Sequence, residues 1–191
     1  MTATSNPIAQ TSAGTSTSIW KADPAHTTVG FSAKHMMITT VKGRFKDFDV
    51  TLELNEDDIT KSSVTVSISA ASIDTGVLDR DNHLRSADFL YVDAYPTITF
   101  VSRYIRQAGD NRYLVTGDLT IRGVTREITL DATFDGRGYD PFGNEKVSFT
   151  ATTTLSRKDF GLTWNVALET GGMLVSDAVK VEIDFQGIRQ A

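Results

Sequence analysis

The chain has 191 residues, 40% of them hydrophobic and 23% charged, which favours one globular domain burying roughly 70% of its unfolded surface without covalent staples. The absence of cysteine excludes a disulfide framework, a thiolate metal site and a cysteine nucleophile. A net charge of −5 and a pI near 5.1 argue against a nucleic-acid partner, and no apolar run approaches the ~20 residues of a transmembrane helix.

Residues 1 to 18 hold nine Ser or Thr, no Asp, Glu, Lys or Arg, and Ile8 as the one large aliphatic residue after Met1. Such a segment buries too little apolar surface to offset its ordering entropy. It is predicted to be a flexible tail, with a single folded domain over 19 to 191. It has neither the basic and apolar regions of a secretory signal nor the arginines of a transit peptide, so a cytoplasmic protein is expected.

From Ile19 onward the hydrophobic period is two, as in strands with one dry and one wet face. Ile19 and Trp20 begin a short strand before Asp23-Pro24. Val29, Phe31 and Ala33 form the next set, and Phe48, Val50, Leu52 and Leu54 another. Phe45 has the opposite parity to Phe48, which predicts a bulge or sharp bend near Lys46-Asp47. Val64, Val66, Ile68 and Ala70 then alternate with Thr65, Ser67 and Ser69. Strand alternation lapses from Leu78 to Leu90, where Asp79 to Ala87 is predicted to form a short helix.

Ile98, Phe100 and Tyr104 form a strand set with Ser102 inside it. Tyr113, Val115, Leu119 and Ile121 form one interrupted by Gly117, where a close backbone approach or a bend is expected. Ile128, Leu130, Ala132 and Phe134 come next, then Val147, Phe149, Ala151 and Leu155 with Thr153 on their side, and finally Val179, Val181, Ile183 and Phe185. Gly109-Asp110-Asn111 and Arg122-Gly123 read as tight turns, which favours antiparallel neighbours. Eight or so amphipathic strands make a sandwich or a closed barrel. Strands of about eleven residues span roughly 36 Å and, tilted near 40°, make a barrel about 27 Å tall. Their length and bends favour the barrel.

A set of segments in order along the chain carries a resemblance: Asp23-Pro24-Ala25-His26-Thr27-Thr28-Val29-Gly30-Phe31, Val41-Lys42-Gly43-Arg44-Phe45, Ser72-Ile73-Asp74-Thr75-Gly76, and Arg80-Asp81-Asn82-His83-Leu84-Arg85-Ser86-Ala87-Asp88-Phe89. Tyr95-Pro96-Thr97-Ile98-Thr99-Phe100, Thr116-Gly117-Asp118-Leu119-Thr120-Ile121-Arg122-Gly123-Val124-Thr125 and Ser156-Arg157-Lys158-Asp159-Phe160-Gly161-Leu162 complete it. The chain resembles the YceI-like family of lipocalin-like polyisoprenoid-binding proteins over nearly all of 19 to 190. Many members look secreted, and the absence of a signal peptide here is a departure. The resemblance implies an all-β, eight-stranded antiparallel lipocalin-like barrel with one or two short helices. It also implies an apolar cavity for a long-chain isoprenoid, a quinone-like lipid or a fatty amphiphile. Dimerisation is compatible with the family, and no sequence feature decides it.

The inward set is Val29, Phe31, Val50, Leu52, Val66, Ile68, Phe100, Val115, Leu119, Leu130, Phe149, Ala151 and Val181. Periodicity alone allows these side chains to fill a solid core or to wall a cavity. The densest group of chemically capable side chains is Asp79, Arg80, Asp81, His83, Arg85 and Asp88. Arg80, Arg85 or His83 at the barrel mouth would meet a polar head group. The plainer reading is a capping and ion-pair network around a short helix, with Asp79 or Asp81 at its start. A third reading pairs His83 with Asp81 as base and orienter in an enzyme. His26, after Asp23-Pro24, reads as a structural hydrogen bond at a strand start. Three histidines without a close pair and without cysteine give no metal motif. Met36-Met37-Ile38 and the stretch from Gly161 to Val175 are candidates for an apolar lid or for ordinary closure of the barrel end. The expectation is a non-catalytic lipid carrier. An enzyme and a solid-core interaction module stand as alternatives.

Overall fold

Each stretch of period-two alternation forms a strand. The structure, a computed structural model, describes residues 16–169 and 171–191, so the greater part of the expected tail, 1 to 15, lies outside the described residues. The strands are β1 (Thr17–Ala22), β2 (Thr28–His35), β3 (Thr39–Phe45), β4 (Phe48–Asn55), β5 (Ser63–Ser69), β6 (Ile73–Asp74), β7 (Thr97–Gln107), β8 (Arg112–Ile121), β9 (Val124–Tyr139), β10 (Glu145–Ser156) and β11 (Val175–Arg189). One helix, α1 (Leu78–Arg85), lies between β6 and β7.

These segments make eight barrel strands because three of the eight are bent once. β1 and β2 pair with the same edge of β11, Trp20 opposite Arg189 and Val29 opposite Ile183. β3 pairs with β2 and β4 with β1. In the same way β5 pairs with β4 and β6 with β3. With β7 to β11 in meander order and β1 against β11, the sheet closes into an eight-stranded antiparallel barrel. Closure leaves no free edge between β1 and β11.

The bend between β3 and β4 falls at Lys46-Asp47, where the parity of Phe45 and Phe48 conflicts. Both rings pack against the barrel core. The backbone freed by the bend is satisfied locally, Lys46 N donating to the Ser72 carbonyl (3.2 Å) and the Asp47 carbonyl accepting from Ser69 N (2.9 Å). The Arg122-Gly123 turn has φ of 49° and 71°, the left-handed pair that a two-residue hairpin turn requires.

Gly117 is the site of a close approach. A Cβ there would collide with the Val101 carbonyl oxygen and lie 2.8 Å from the Ser102 Cα. Opposite it the β7–β8 register shifts between Ser102 and Tyr104, a bulge. One extra residue reverses the parity of the rest of β7. Ile105 therefore points inward, 9% exposed, and Tyr104 points out, 52% exposed, the reverse of the alternation expected for Tyr104.

The meander puts the start of β1, the ends of β4 and β11 and the β9–β10 turn at one end, the base. The β2–β3 turn, α1, Arg122-Gly123 and the segment 157–174 lie at the other, the mouth. Trp20 packs the base, 0% exposed, among Val50, Leu52, Leu54, Val147 and Phe185. The guanidinium carbons of Arg137 and Arg189 lie 5.1 and 5.9 Å from its ring centroid. Arg137 is shared by Glu145 (2.6 Å) and Glu56, and Arg189 bonds Glu145 (2.7 Å). The two carboxylates raise the Arg137 pKa above its ordinary value, and the Arg137 bond holds Glu145 low. Ser18 accepts from Trp20 Nε1 (2.7 Å) and donates to Glu56. Thr17 and Ser18 thus belong to β1, two residues inside the tail boundary read from the sequence. No helix among the described residues is long and apolar enough to cross a membrane.

Candidate functional site: an apolar cavity along the barrel

The barrel interior is hollow. A cavity of about 320 Å3 runs from Leu54, Ile59 and Tyr113 near the base to Leu84, Phe89, Leu90, Phe160 and Leu162 at the mouth. It falls at the small end of the ~300–1,000 Å3 typical of ligand pockets. All thirteen positions of the inward set line it, because alternate residues of each strand face the axis. The strands add to them Ile105, put inside by the β7 bulge, and Thr153, which shares the inward parity of β10.

Sequence alternation could not find the mouth residues, which lie outside the strands. Leu84 is on α1, and Phe89 and Leu90 come after it in a turn held by Phe89 N to the Ser86 carbonyl (3.0 Å) and Leu90 N to the Leu84 carbonyl (3.0 Å). Arg122 Nη1 holds the Phe89 carbonyl from the β8–β9 turn (2.9 Å). Phe160 and Leu162 belong to the segment after β10. The Gly161 left-handed turn between them, φ 76°, was the available signal.

The charged cluster around α1 faces away from the cavity. Arg80 donates to the Thr75 hydroxyl (2.7 Å) and carbonyl (2.9 Å). Arg85 donates to the Ala71 (2.8 Å) and Ile73 (2.7 Å) carbonyls and to Asn82 Oδ1 (3.1 Å). Asp81, buried, accepts from Thr75 N (2.9 Å). The helix cap is Val77, without a side-chain bond, so neither Asp79 nor Asp81 caps α1. His83 Nε2 bonds Asp88 Oδ2 (2.9 Å), and its ring lies edge-on to Trp164 (centroids 4.6 Å) and to Phe89 (5.0 Å). The His83–Asp81 pair of the enzymatic reading does not form: His83 bonds Asp88 and Asp81 bonds Thr75. None of Arg80, His83 and Arg85 lines the cavity, and the cluster ties α1 across the mouth to β6 and to the segment carrying Trp164.

Met36 and Met37 form the β2–β3 turn with φ of 53° and 60°, unusual for side chains other than glycine. Met36 N donates to the Leu174 carbonyl (2.7 Å), which joins the two candidate lid segments. Met37 and Ile38 are nonetheless 62% and 78% exposed, and the mouth is closed by Leu84, Phe89, Leu90 and Phe160 together with Leu162 and Val175 of the second candidate segment. His26 Nδ1 bonds Asp23 Oδ2 (3.0 Å) at the turn between β1 and β2, the structural role expected of it. The Lys146 bond (2.8 Å), seconded by His26, lowers the Asp23 pKa to about 2 against an opposing burial effect.

One charged side chain lines the cavity. Arg157, 6% exposed, stands just after β10 at the mouth. Its Nε donates to the Ser176 carbonyl (2.9 Å), and its Nη1 to the carbonyls of Leu162 and Trp164 (2.9 Å for the latter). Sequence reading placed Arg157 in a family-like segment and assigned it no role.

The profile of the YceI-like domain matches residues 20–187. A UPF0312 protein of Staphylococcus epidermidis is 42% identical over 161 residues, 84% of this chain and 91% of that protein. Among solved structures, Burkholderia cenocepacia BcnA is similar with a TM-score of 0.74 at 27% identity, covering 86% of this chain and 98% of that one. A polyisoprenoid-binding domain from Saccharophagus degradans, implicated in plant cell wall breakdown, shares the fold with a TM-score of 0.66 at 12% identity, over 90% of this chain and 98% of that one.

Proposed function

The chain belongs to the YceI-like family, and from that premise we propose that it is a non-catalytic carrier of a long-chain isoprenoid or related amphiphilic lipid. The observation that carries this reading is the elongated cavity, walled by apolar side chains from base to mouth. Such a wall presents no polar surface to a hydrocarbon chain, so recognition is by length and burial. Sequestering ten methylene equivalents at ~0.8 kcal/mol each is worth about 8 kcal/mol before ordering losses, a ceiling near micromolar affinity. The fold shared with a polyisoprenoid-binding domain supports the same reading. Neither His83 nor Asp88 lines the cavity, so the geometry favours storage of a chain over acid–base chemistry on a cavity ligand.

The test is organic extraction of the purified protein with mass spectrometry of the extract, then titration of the delipidated protein with prenols and quinones of graded length. A co-purifying lipid, or saturable one-to-one binding that strengthens with chain length, is expected. A protein that carries no lipid and binds none of the series refutes the carrier.

A further inference from the structure

Outside the cavity mouth lies an apolar surface almost free of charge. Two reversals of the chain meet there, the β2–β3 turn and the loop that returns from Gly161 to β11. Met36 N donates to the Leu174 carbonyl (2.7 Å), and a Cβ on Gly172 would lie 3.9 Å from Met37 Cγ, so the two tips form one patch. Met36, Val166 and Met173 add exposed apolar area to that of Met37 and Ile38. Residues 36–40 and 161–176 hold one charged side chain, Glu169, in a chain that is 23% charged. The β9–β10 turn at the base also exposes two rings, Tyr139 and Phe142. Asp140 stands between those two, however, with Glu145 and Lys146 close behind in the chain.

The patch suits a bilayer better than a protein partner. Five partly exposed side chains cover roughly a few hundred Å2, the scale of an interaction site. That is short of the roughly 800 Å2 per partner in a stable protein interface. The tips also satisfy much of their own backbone. Ile38 N donates to the His35 carbonyl (3.1 Å), Leu168 N to Gly172 (3.0 Å), Gly171 N to Leu168 (3.0 Å) and Leu174 N to Val166 (2.9 Å). Few bare amides would therefore leave water if the tips entered a lipid surface. The apolar surface is continuous with the interior as well, because Leu162 and Val175 of the same returning loop line the cavity.

We propose that this rim is a membrane-docking surface, on which the barrel seats mouth-down against a phospholipid bilayer and takes up its chain. The inference rests on the carrier reading and adds where loading occurs. Entry at the rim keeps a water-insoluble chain in apolar surroundings from bilayer to cavity. The unbranched, adaptable methionines suit contact with disordered lipid. The net charge of −5 opposes adsorption to anionic lipid, so attraction comes from buried apolar area and is insensitive to salt.

The experiment floats the full-length protein with vesicles of pure phosphatidylcholine at low and high salt, and titrates it separately with geranylgeraniol without vesicles. The parent is expected to float with the vesicles equally at both salt concentrations. The double variant Met37→Asn, Ile38→Ser is expected to partition about tenfold less while keeping its geranylgeraniol affinity within about twofold; asparagine tolerates the left-handed backbone of position 37. Phe142→Ser, at the base, should partition like the parent. A parent that stays out of the vesicle fraction, or that binds only anionic vesicles and is released by salt, overturns the proposal without any variant. A double variant that floats like the parent, or a Phe142→Ser that loses as much, overturns it too. A parent dimer that the double variant dissociates, with no vesicle binding by either, assigns the rim to a second copy of the chain instead. In each of these cases geranylgeraniol binding leaves the carrier standing. A parent that docks on vesicles but binds no prenol refutes the carrier reading, and the loading role with it.

Discussion

Replacing Trp20 with alanine removes the wholly buried side chain on which the base of the barrel is built. Truncating a buried tryptophan costs about 3–5 kcal/mol in lost transfer and residual cavity. The indole also carries the guanidinium groups of Arg137 and Arg189 on its ring, contacts worth ~0.5–1 kcal/mol at a partly exposed site. The sum is about 3.5–6 kcal/mol. For a domain of this size each kilocalorie shifts the melting midpoint by ~2–4 °C, so the variant should melt roughly 7–24 °C below the parent. Trp20→Phe keeps most of the buried area and loses the bond from Nε1 to Ser18, for about 1–2 kcal/mol. Thermal and guanidinium unfolding monitored by circular dichroism measure both. A fall of less than ~4 °C for Trp20→Ala would refute the account of the base as a packed plug, since it would mean the lost contacts were worth no more than about 1–2 kcal/mol.

Acid stability depends on Asp23. Its pKa lies near 2, below the ordinary 3.8, so its contribution is complete above the unfolded value and is lost as pH falls through the folded one. Asp23→Asn should cost on the order of 1 kcal/mol at neutral pH, after allowance for solvent screening, and flatten the fall in stability between about pH 4 and 2; unfolding curves parallel to the parent's across that range would contradict this. Gly117→Ala forces a methyl group onto the β7 bulge and should cost about 2–3 kcal/mol. Gly138→Ala, with open space around its added Cβ, should leave the midpoint within a degree or two, and equal effects of the two would argue against the close approach. Phe149→Lys sets an ammonium group on the cavity wall opposite Phe134 (ring centroids 5.2 Å). It should abolish prenol uptake or unfold the barrel, and a stable, binding-competent variant would show that this position meets water.

Much of the barrel was legible because a strand with one dry face writes its geometry into alternate residues. The inward residues of β4, β8, β10 and β11 come directly from that period, and the opposed parities of Phe45 and Phe48 located the bend at Lys46-Asp47. Alternation runs out where the backbone departs from regular pairing. Ile98 and Phe100 point inward as read, but the bulge beyond Ser102 reverses the facing of Tyr104 and Ile105, and nothing in the order Ser102-Arg103-Tyr104-Ile105 marks which residue is the extra one. It takes the partner strand, with Gly117 pressed against the Val101 carbonyl, to define it.

The function-bearing side chains divide in the same way. Composition and period, both local properties of the chain, were enough for an all-β domain with an apolar interior and a hydroxyl-rich exterior. Local density of charge pointed to Arg80, His83 and Arg85 as head-group contacts, yet their donors are turned to Thr75, Ala71, Ile73 and Asp88, and density along the chain says nothing about direction in space. Arg157, one basic residue in the run Ser156-Arg157-Lys158-Asp159, looks like surface in the sequence. Closure of the barrel and the return of the chain from 157 to 176 turn it inward and surround it with carbonyls. Hollowness likewise belongs to the closed sheet, because the same inward side chains fill a core or wall a cavity according to the number and tilt of the strands that carry them.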